Sequence, residues 1–205
     1  MVETEEQTPI FEFTGNWLCL DFANTMSDRP SDSPQELLNS YNDLVSWAVQ
    51  AHIVTENEAE QLRNEAVSRP AEASAVLKRA IDLREAIYRI FSALGNDSSA
   101  EEADLVILNG ALSEGMAHAH LVPKANVFSW DWSGKEDALE RILWLVARSA
   151  ADLLVSEELD TVRVCASEDC QWLFLDTSKN KSRRWCDMKS CGNRAKARRH
   201  YQRKK

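Results

Sequence analysis

Glycine, long apolar runs and clustered catalytic groups are scarce or missing in this 205-residue sequence. Its six glycines form no glycine-rich loop of the kind that holds phosphates, which argues against nucleotide-loop chemistry. No apolar run approaches the roughly 18 residues that a membrane-spanning helix needs, so no membrane partner is predicted. Residues 1–7 are acidic and lack the apolar segment of a secretory signal, and we therefore expect a cytoplasmic location.

The histidines show no catalytic pattern. His52, His118 and His120 have no cysteine or aspartate at a spacing that suggests a catalytic triad. We therefore predict that the protein is not an enzyme. A catalytic interpretation would need a real cleft with activated groups around Asp21 and Arg84.

Charge is divided unevenly along the chain, which has a net charge of −9. Residues 178–205 contain twelve Lys and Arg residues against one acidic residue, Asp187, for a net charge of +11. The other 177 residues carry a net charge of −20. Such a basic segment suggests a polyanionic partner, or a charged tail that rests on its own acidic body.

Apolar residues recur at helical spacing through most of the region from residue 10 to residue 158. Capping patterns, in which Ser or Thr is followed three residues later by Glu, predict helix starts at Ser33 and Thr55. A longer helix is predicted from about Pro70 to Leu94. Two further helices are predicted, one from the spacing of Leu105, Leu108, Leu112 and Met116, and a last one after a cap at residues 133–136.

Two short segments interrupt the helical pattern. Residues 10–20, with a turn at Gly15, suggest a small hairpin, and the alternation of residues 127–132 indicates a strand. The predicted fold class is therefore mainly α, or α+β: a helical body with one or two small β-hairpins, followed by a small four-cysteine zinc module. We place the two domains at residues 1–158 and 159–205.

Four of the five cysteines lie within 27 residues, as Cys165, Cys170, Cys186 and Cys191. In a cytosolic chain such a cluster is more often a metal site than a set of disulfides, although disulfides or free thiols are the alternatives. Two thiolates from each of two short loops suit tetrahedral zinc, and we predict one structural Zn²⁺. The fifth cysteine, Cys19, is interpreted as a small buried apolar residue.

The residues between the cysteines predict a hairpin. Residues 171–176 are strand-like, residues 177–181 form a turn, and residues 183–185 form the returning strand. A basic helix should follow from a cap at Ser190. The predicted module is therefore knuckle, hairpin, knuckle and helix. Because it has few apolar residues, zinc should supply much of its folding free energy.

The basic residues of this module are candidates for nucleic-acid binding. The predicted basic helix contains too few apolar residues to bury a broad face. Packing, the zinc anchor or a polyanion must therefore stabilise this helix. Stacking on Trp185 or Tyr201 would favour single strands or RNA, whereas arginines in a major groove would favour DNA. The candidate contacts are Arg183, Arg184, Arg194, Lys196, Arg198 and Arg199.

Two segments of the chain contain sequence motifs that resemble known families. Residues 176–185 precede the second cysteine pair, and residues 191–194 spell Cys-Gly-Asn-Arg. This segment resembles the CGNR zinc-finger family, while residues 15–25 and the helix around Arg84 are similar to the ABATE domain that usually precedes that finger. The resemblance implies a stress-induced transcription regulator with a DNA-binding finger.

Arg84 marks a second candidate site, because it falls between Ile81 and Tyr88 on the apolar face of its helix. A buried arginine needs a partner, and Asp21 is the expected one. The functional interpretation is a pocket for a small effector lined by Asp21, Asn24 and Arg84. The structural alternative is an internal ion pair that fixes the amino-terminal hairpin against the helix.

These patterns together predict a transcription regulator whose zinc module binds nucleic acid, DNA rather than RNA. The zinc ion would hold the basic residues in one rigid arrangement, and the helical body would sense a ligand or a partner. The alternative is a protein-interaction adaptor whose basic module docks on acidic protein surfaces.

Overall fold

The computed structural model describes residues 9–132 and 137–202, which form seven α-helices and three two-stranded antiparallel sheets. The predicted class, mainly helical with small hairpins, is confirmed. None of the described helices is long and apolar enough to cross a membrane. The helices are α1 Leu18–Ala23, α2 Tyr41–Gln50, α3 Glu56–Ser68, α4 Pro70–Leu94, α5 Glu102–Ala117, α6 Arg141–Leu154 and α7 Asn193–Gln202. The strands are β1 Met26–Ser27, β2 Gln35–Glu36, β3 His120–Lys124, β4 Val127–Asp131, β5 Val162–Val164 and β6 Leu173–Leu175.

Several helices begin where their capping residues predict. The Thr55 hydroxyl accepts the backbone N–H of Glu58, and the Glu58 carboxylate accepts the backbone N–H of Thr55. This capping box at the start of α3 confirms the prediction. The long helix α4 begins at Pro70, as predicted. By contrast, α2 begins at Tyr41 and is capped by Ser40, with Asp43 as the reciprocal partner, so the predicted helix start at Ser33 is wrong.

Residues 33–36 do not start a helix because their glutamate has a distant partner. The two carboxylate oxygens of Glu36 accept hydrogen bonds from the two terminal nitrogens of Arg84, at 2.5 and 2.8 Å. Gln35 and Glu36 form β2, which pairs with β1. The ion pair with Arg84 therefore engages the carboxylate of Glu36 that would otherwise cap a local helix.

The predicted hairpin at residues 10–20 is also wrong. Residues 10–14, all within the described part of the chain, form no strand, and the apolar residues after Gly15 form α1. Most of α1 is buried, including Cys19 and Leu20, which have no exposed surface. A short helix that is buried on all sides shows no helical period in its sequence. The burial of Cys19 confirms its predicted role.

The later elements of the body follow the sequence pattern more closely. The strand expected at residues 127–132 is confirmed as β4, which pairs with β3. The predicted helix around Leu108 is α5, and the last helix of the body is α6. The cap predicted for α6 at residues 133–136 lies outside the described residues, and α6 itself follows Glu140.

Buried side chains form two clusters. The larger cluster lies among the helices of the body and includes Trp47, Phe91 and Ile142. The smaller cluster contains Trp172, Phe174 and the four cysteines of the module. The body therefore has an ordinary apolar core, whereas the module has only a few apolar residues around its sulfurs.

The strand β6 belongs to both clusters, because side chains alternate along a strand. Leu173 and Leu175 belong to the body cluster, and Phe174 between them belongs to the cysteine cluster. The partner of β6 is β5, with Val162 opposite Leu175. The predicted return strand at residues 183–185 is therefore wrong, since the second strand comes from before the first cysteine.

Candidate metal centre and basic surface

The sulfurs of Cys165, Cys170, Cys186 and Cys191 form a compact buried group. All four lie within 4.8 Å of one another, and the Cys170–Cys186 and Cys186–Cys191 sulfur distances are 3.6 and 3.7 Å. A disulfide would need about 2.05 Å. Tetrahedral zinc at about 2.3 Å from each sulfur places the sulfurs about 3.8 Å apart, so the group fits one zinc ion, as predicted. Four thiolates also leave zinc no open position for water, which makes the site structural.

Backbone hydrogen bonds bring the two knuckles together. The N–H of Cys165 donates to the carbonyl of Trp172 at 2.8 Å, which places Cys165 and Cys170 on one tight loop. The N–H of Ala166 donates to the carbonyl of Arg184 at 2.9 Å. This second bond holds the segment before Cys186 beside the first knuckle.

Two aspartates that were not predicted to have a role in the site shape the second knuckle. Asp176 is fully buried, and its carboxylate accepts the backbone N–H of Arg183 at 2.8 Å, which closes the loop between the cysteine pairs. Asp187 accepts the backbone N–H of Ser190 at 2.8 Å and caps a π-helical turn, Met188–Gly192, that leads into α7. The cap is therefore Asp187 and not the predicted Ser190. Asp in the loop before a basic helix was the available signal.

The pKa values of the Cys170 and Cys186 thiols are raised, so these two groups resist ionisation without a cation. The Cys170 thiol shares hydrogen bonds with Cys165 and Cys186 and is buried, and these effects raise its pKa above the ordinary value for cysteine. Zinc binding must therefore release protons and strengthen as the pH rises. Arg194 contributes a positive charge close to the sulfurs, because one of its terminal nitrogens lies 3.1 Å from the sulfur of Cys191.

Arg183, a predicted nucleic-acid contact, is turned inward. Its Nε donates to the carbonyl of Trp185 at 2.8 Å, and a terminal nitrogen donates to the carbonyl of Cys186. Its guanidinium carbon lies 4.6 Å from the centre of the Phe174 ring, within the range of a cation–π contact. These contacts give Arg183 a structural role in the second knuckle.

The other candidate contacts lie at the surface. Helix α7 buries none of its residues, and Arg184 is exposed on the segment that precedes it. Arg198 donates to the carboxylates of Asp169 and Glu168, at 2.6 and 3.3 Å. We call this exposed group the basic surface; its members are Arg184, Arg194, Lys196, Arg198 and Arg199.

The residues of the predicted effector pocket have separate partners. Arg84, only 1% exposed, pairs with Glu36 and Glu85, so the expected pairing with Asp21 is wrong. Asp21 instead accepts the backbone N–H of Gly15 at 2.7 Å. Burial raises the pKa of the Asp21 carboxyl to about 6, although the hydrogen bond from Gly15 opposes that shift. An effector pocket at these positions stays a prediction.

Asn24, the third of these residues, joins the body to the module. Its side-chain amide accepts the N–H of Leu173 and donates to the carbonyl of Leu173, both at 2.9 Å. Nearby, the indole N–H of Trp172 donates to the carbonyl of Met26 at 2.9 Å. The side-chain amide of Asn24 therefore makes the two backbone hydrogen bonds to β6 that a neighbouring strand would make. No local pattern in the sequence reveals this long-range contact.

Two family models match the chain. Residues 16–157 match the ABATE family, whose description is "Putative stress-induced transcription regulator". Residues 161–204 match the CGNR zinc finger. No protein of curated function matches the chain. The two family matches confirm the resemblance found in the sequence.

Proposed function

Because the chain belongs to the ABATE family and carries a CGNR zinc finger at residues 161–204, we propose that it regulates transcription by binding nucleic acid through the basic surface. The preferred partner is DNA rather than RNA. In this proposal the finger makes the contact, the zinc ion fixes the finger, and the chain has no catalytic role.

The observation that carries the proposal is the exposure of α7. A ten-residue helix with four Lys and Arg and no acidic residue buries none of its side chains. An isolated helix of this length is marginal in water, and its like charges repel one another. The helix is anchored at its start by the knuckle that contains Cys191. A partner rich in phosphates would neutralise its charges and give it a packing surface.

The geometry favours a duplex over a single strand. Helix α7 is about 15 Å long, and an α-helix with its side chains is about 10–12 Å in diameter, which fits a major groove about 12 Å wide. Single-strand binding normally uses free aromatic faces for stacking. Here Trp185 packs against the cysteine cluster, and the guanidinium carbon of Arg184 lies 5.4 Å from its ring centre. Trp185 is thus already partnered, which leaves Tyr201 of α7, 71% exposed, as the remaining candidate for stacking.

In this proposal the body also passes a signal to the finger, and a direct contact between the two supports that role. Asn24 at the end of α1 is hydrogen-bonded to β6, which carries Phe174 of the cysteine cluster. A ligand that moved α1 would therefore move the finger with it. The predicted pocket at Asp21, Asn24 and Arg84 is one place for such an effector. A cleft of about 400 Å³ is another; its walls include Asp28 of the body and Lys189 of the finger.

One observation favours a second function, docking on an acidic protein. Arg198 already binds two carboxylates, those of Glu168 and Asp169. The carboxylates of a partner protein could make the same bonds. The chain would then be an adaptor, with the zinc finger as its docking module.

Binding of the full-length, zinc-loaded protein to labelled duplex DNA tests the proposal. Double-stranded RNA of the same sequence and an acidic peptide serve as competitors, and fluorescence anisotropy is measured at several salt concentrations. We expect the affinity for DNA to fall with salt with a logarithmic slope of about −4, because up to five side chains of the basic surface can meet phosphates. The DNA should compete better than either alternative partner.

Variants separate this surface from general basic charge. Replacing Arg184, Lys196 and Arg199 by Gln should weaken DNA binding and reduce the slope by about 3. Replacing Arg63, Lys78 and Lys124 of the body by Gln removes the same charge elsewhere and should leave the slope unchanged. No DNA binding by the wild-type protein at low salt would contradict the proposal, and tight binding of the acidic peptide would support the adaptor instead.

A further inference from the structure

Asp169, in the first knuckle, lies between two arginines of α7. Its Oδ2 accepts a hydrogen bond from Arg198 at 2.6 Å and is 3.9 Å from a terminal nitrogen of Arg194. These arginines are four residues apart, so they share one face of the helix. A single carboxylate oxygen therefore sets the relative position of two guanidinium groups.

Asp169 is itself held in place on both sides. The hydroxyl of Ser167, a residue only 5% exposed, donates to Oδ1 of Asp169 at 2.8 Å. The next residue in the chain is Cys170, one of the zinc ligands. The position of the carboxylate therefore follows from the metal site rather than from a flexible loop.

The arginines have few other constraints. Arg194 also contacts the sulfur of Cys191 at 3.1 Å, but α7 buries no residue that could fix its side chains by packing. Arg198 gives one N–H to Asp169 and one to Glu168. An arginine has five N–H donors, so three remain for a ligand. Arg198 is therefore oriented by its carboxylate partners and still has N–H donors available for a ligand.

We propose that Asp169 is a positioning residue that makes the finger selective for base sequence, with Arg194 and Arg198 reading base edges in the major groove. This inference rests on the proposed function. Phosphate contacts tolerate many orientations and carry no sequence information, whereas a bidentate contact with guanine requires a fixed guanidinium plane. A side chain that is already fixed also loses less rotational freedom on binding.

The surroundings divide the basic surface between two tasks. A groove of about 220 Å³ runs beside Arg198 between the first knuckle and α7, and Arg184, Arg199 and Gln202 also line it. No carboxylate contact is found for Arg184 or Arg199 among the described residues. These two are suited to phosphates, which need charge more than orientation, while the clamped pair Arg194 and Arg198 is suited to bases.

The test compares sequence discrimination, which is the ratio of affinities for two duplexes. A preferred duplex is first selected from a random library with the zinc-loaded full-length protein, and its dissociation constant is compared with that of a scrambled duplex. Asp169→Asn should reduce this ratio by about 3- to 10-fold, the effect of freeing one or two side chains. The ratio cancels the general gain in affinity that follows from removing a negative charge near DNA.

Glu168→Gln is the matched control. It removes the same charge from the neighbouring residue, whose side chain is 89% exposed and makes the longer contact of 3.3 Å. It should change both affinities equally and leave the ratio intact. If Asp169→Asn loses zinc, Ser167→Ala replaces it, because that change releases the carboxylate without altering any charge; the ratio should again fall.

The binding measurements separate the positioning role of Asp169 from the proposed function as a DNA-binding protein. If the wild-type protein binds DNA but selects no sequence, or if Asp169→Asn strengthens binding to both duplexes with the ratio unchanged, Asp169 is only a competing anion and the inference is wrong. The proposed function survives either result. If the wild-type protein binds no DNA at all, the proposed function fails and the positioning role fails with it.

Discussion

The helical body and the zinc finger are stabilised by different means, although they share a strand. The body buries large apolar residues such as Trp47 and Phe91 from several helices. Apart from Val162, Leu173 and Leu175, which pack into the core of the body, the finger buries little besides Trp172, Phe174 and its cysteines. We therefore expect the body to tolerate the loss of one contact, whereas the finger should draw much of its folding free energy from one ion. Stability is distributed in the first region and concentrated in the second.

The largest expected effect is the loss of that ion. Cys170→Ser removes one thiolate, and zinc binding to sites of this kind is worth on the order of 10 kcal/mol. We expect the finger to unfold while the helices of the body persist, as measured by zinc content, circular dichroism and amide NMR. A finger whose amide signals are unchanged after complete removal of the metal would contradict this difference between the regions.

Two neighbouring substitutions on β6 should affect the body and the finger separately. Leu173→Ala leaves a cavity in the body core and should cost about 2–5 kcal/mol of unfolding free energy in the body, with zinc affinity little changed. Phe174→Ala, one residue later, should instead weaken zinc binding, because it removes packing around the sulfurs. Chemical denaturation and zinc titration measure the two effects. Equal responses of both regions to both substitutions would mean that they form one cooperative unit.

The smallest expected effect concerns pH. The pKa of Asp21 is about 6 in the folded body and about 3.9 in an unfolded chain. Between these values the folded state binds more protons, so the stability of the body should fall as the pH rises from about 4 to about 6, by on the order of 2–3 kcal/mol. Zinc binding by the finger should instead strengthen as the pH rises, which is opposite to the trend in the stability of the body.

Two variants isolate the contribution of Asp21. Asp21→Asn should flatten the pH dependence of unfolding measured by chemical denaturation. Asp32→Asn, at an exposed loop position, should leave it as in the wild-type protein. Identical profiles for all three proteins would assign the pH dependence to other groups.

Local chemistry predicted the elements whose determinants lie within a few residues. The capping box at Thr55 and the proline at the start of α4 act on their own helices, and both starts are found where the sequence places them. The cysteine spacing was equally informative, because zinc geometry limits where four sulfurs can lie. The same local rule failed at Ser33, since Glu36 is bound to Arg84, 48 residues away.

The site was predicted less fully than the metal. Its ligands follow from composition and spacing, but the orientation of each arginine depends on its partner. The sequence suggests that Arg183 is a surface charge. In the structure it donates to the carbonyl of Trp185 and its guanidinium lies over the ring of Phe174. Arg198 gives no sign in the sequence of its bond to Asp169, which is 29 residues earlier. Contacts across such distances are set by the folded backbone.

Because the side chains of β6 alternate between the core of the body and the cysteine cluster, the finger is difficult to transfer to another protein. A fragment beginning at residue 159 would bring Val162, Leu173 and Leu175 into water, and each of these is at most 3% exposed in the whole chain. It would also lose the amide of Asn24 that pairs with β6. Transplanting the finger onto another protein therefore requires an apolar surface to cover one side of the β5–β6 pair, in addition to four cysteines and a zinc ion.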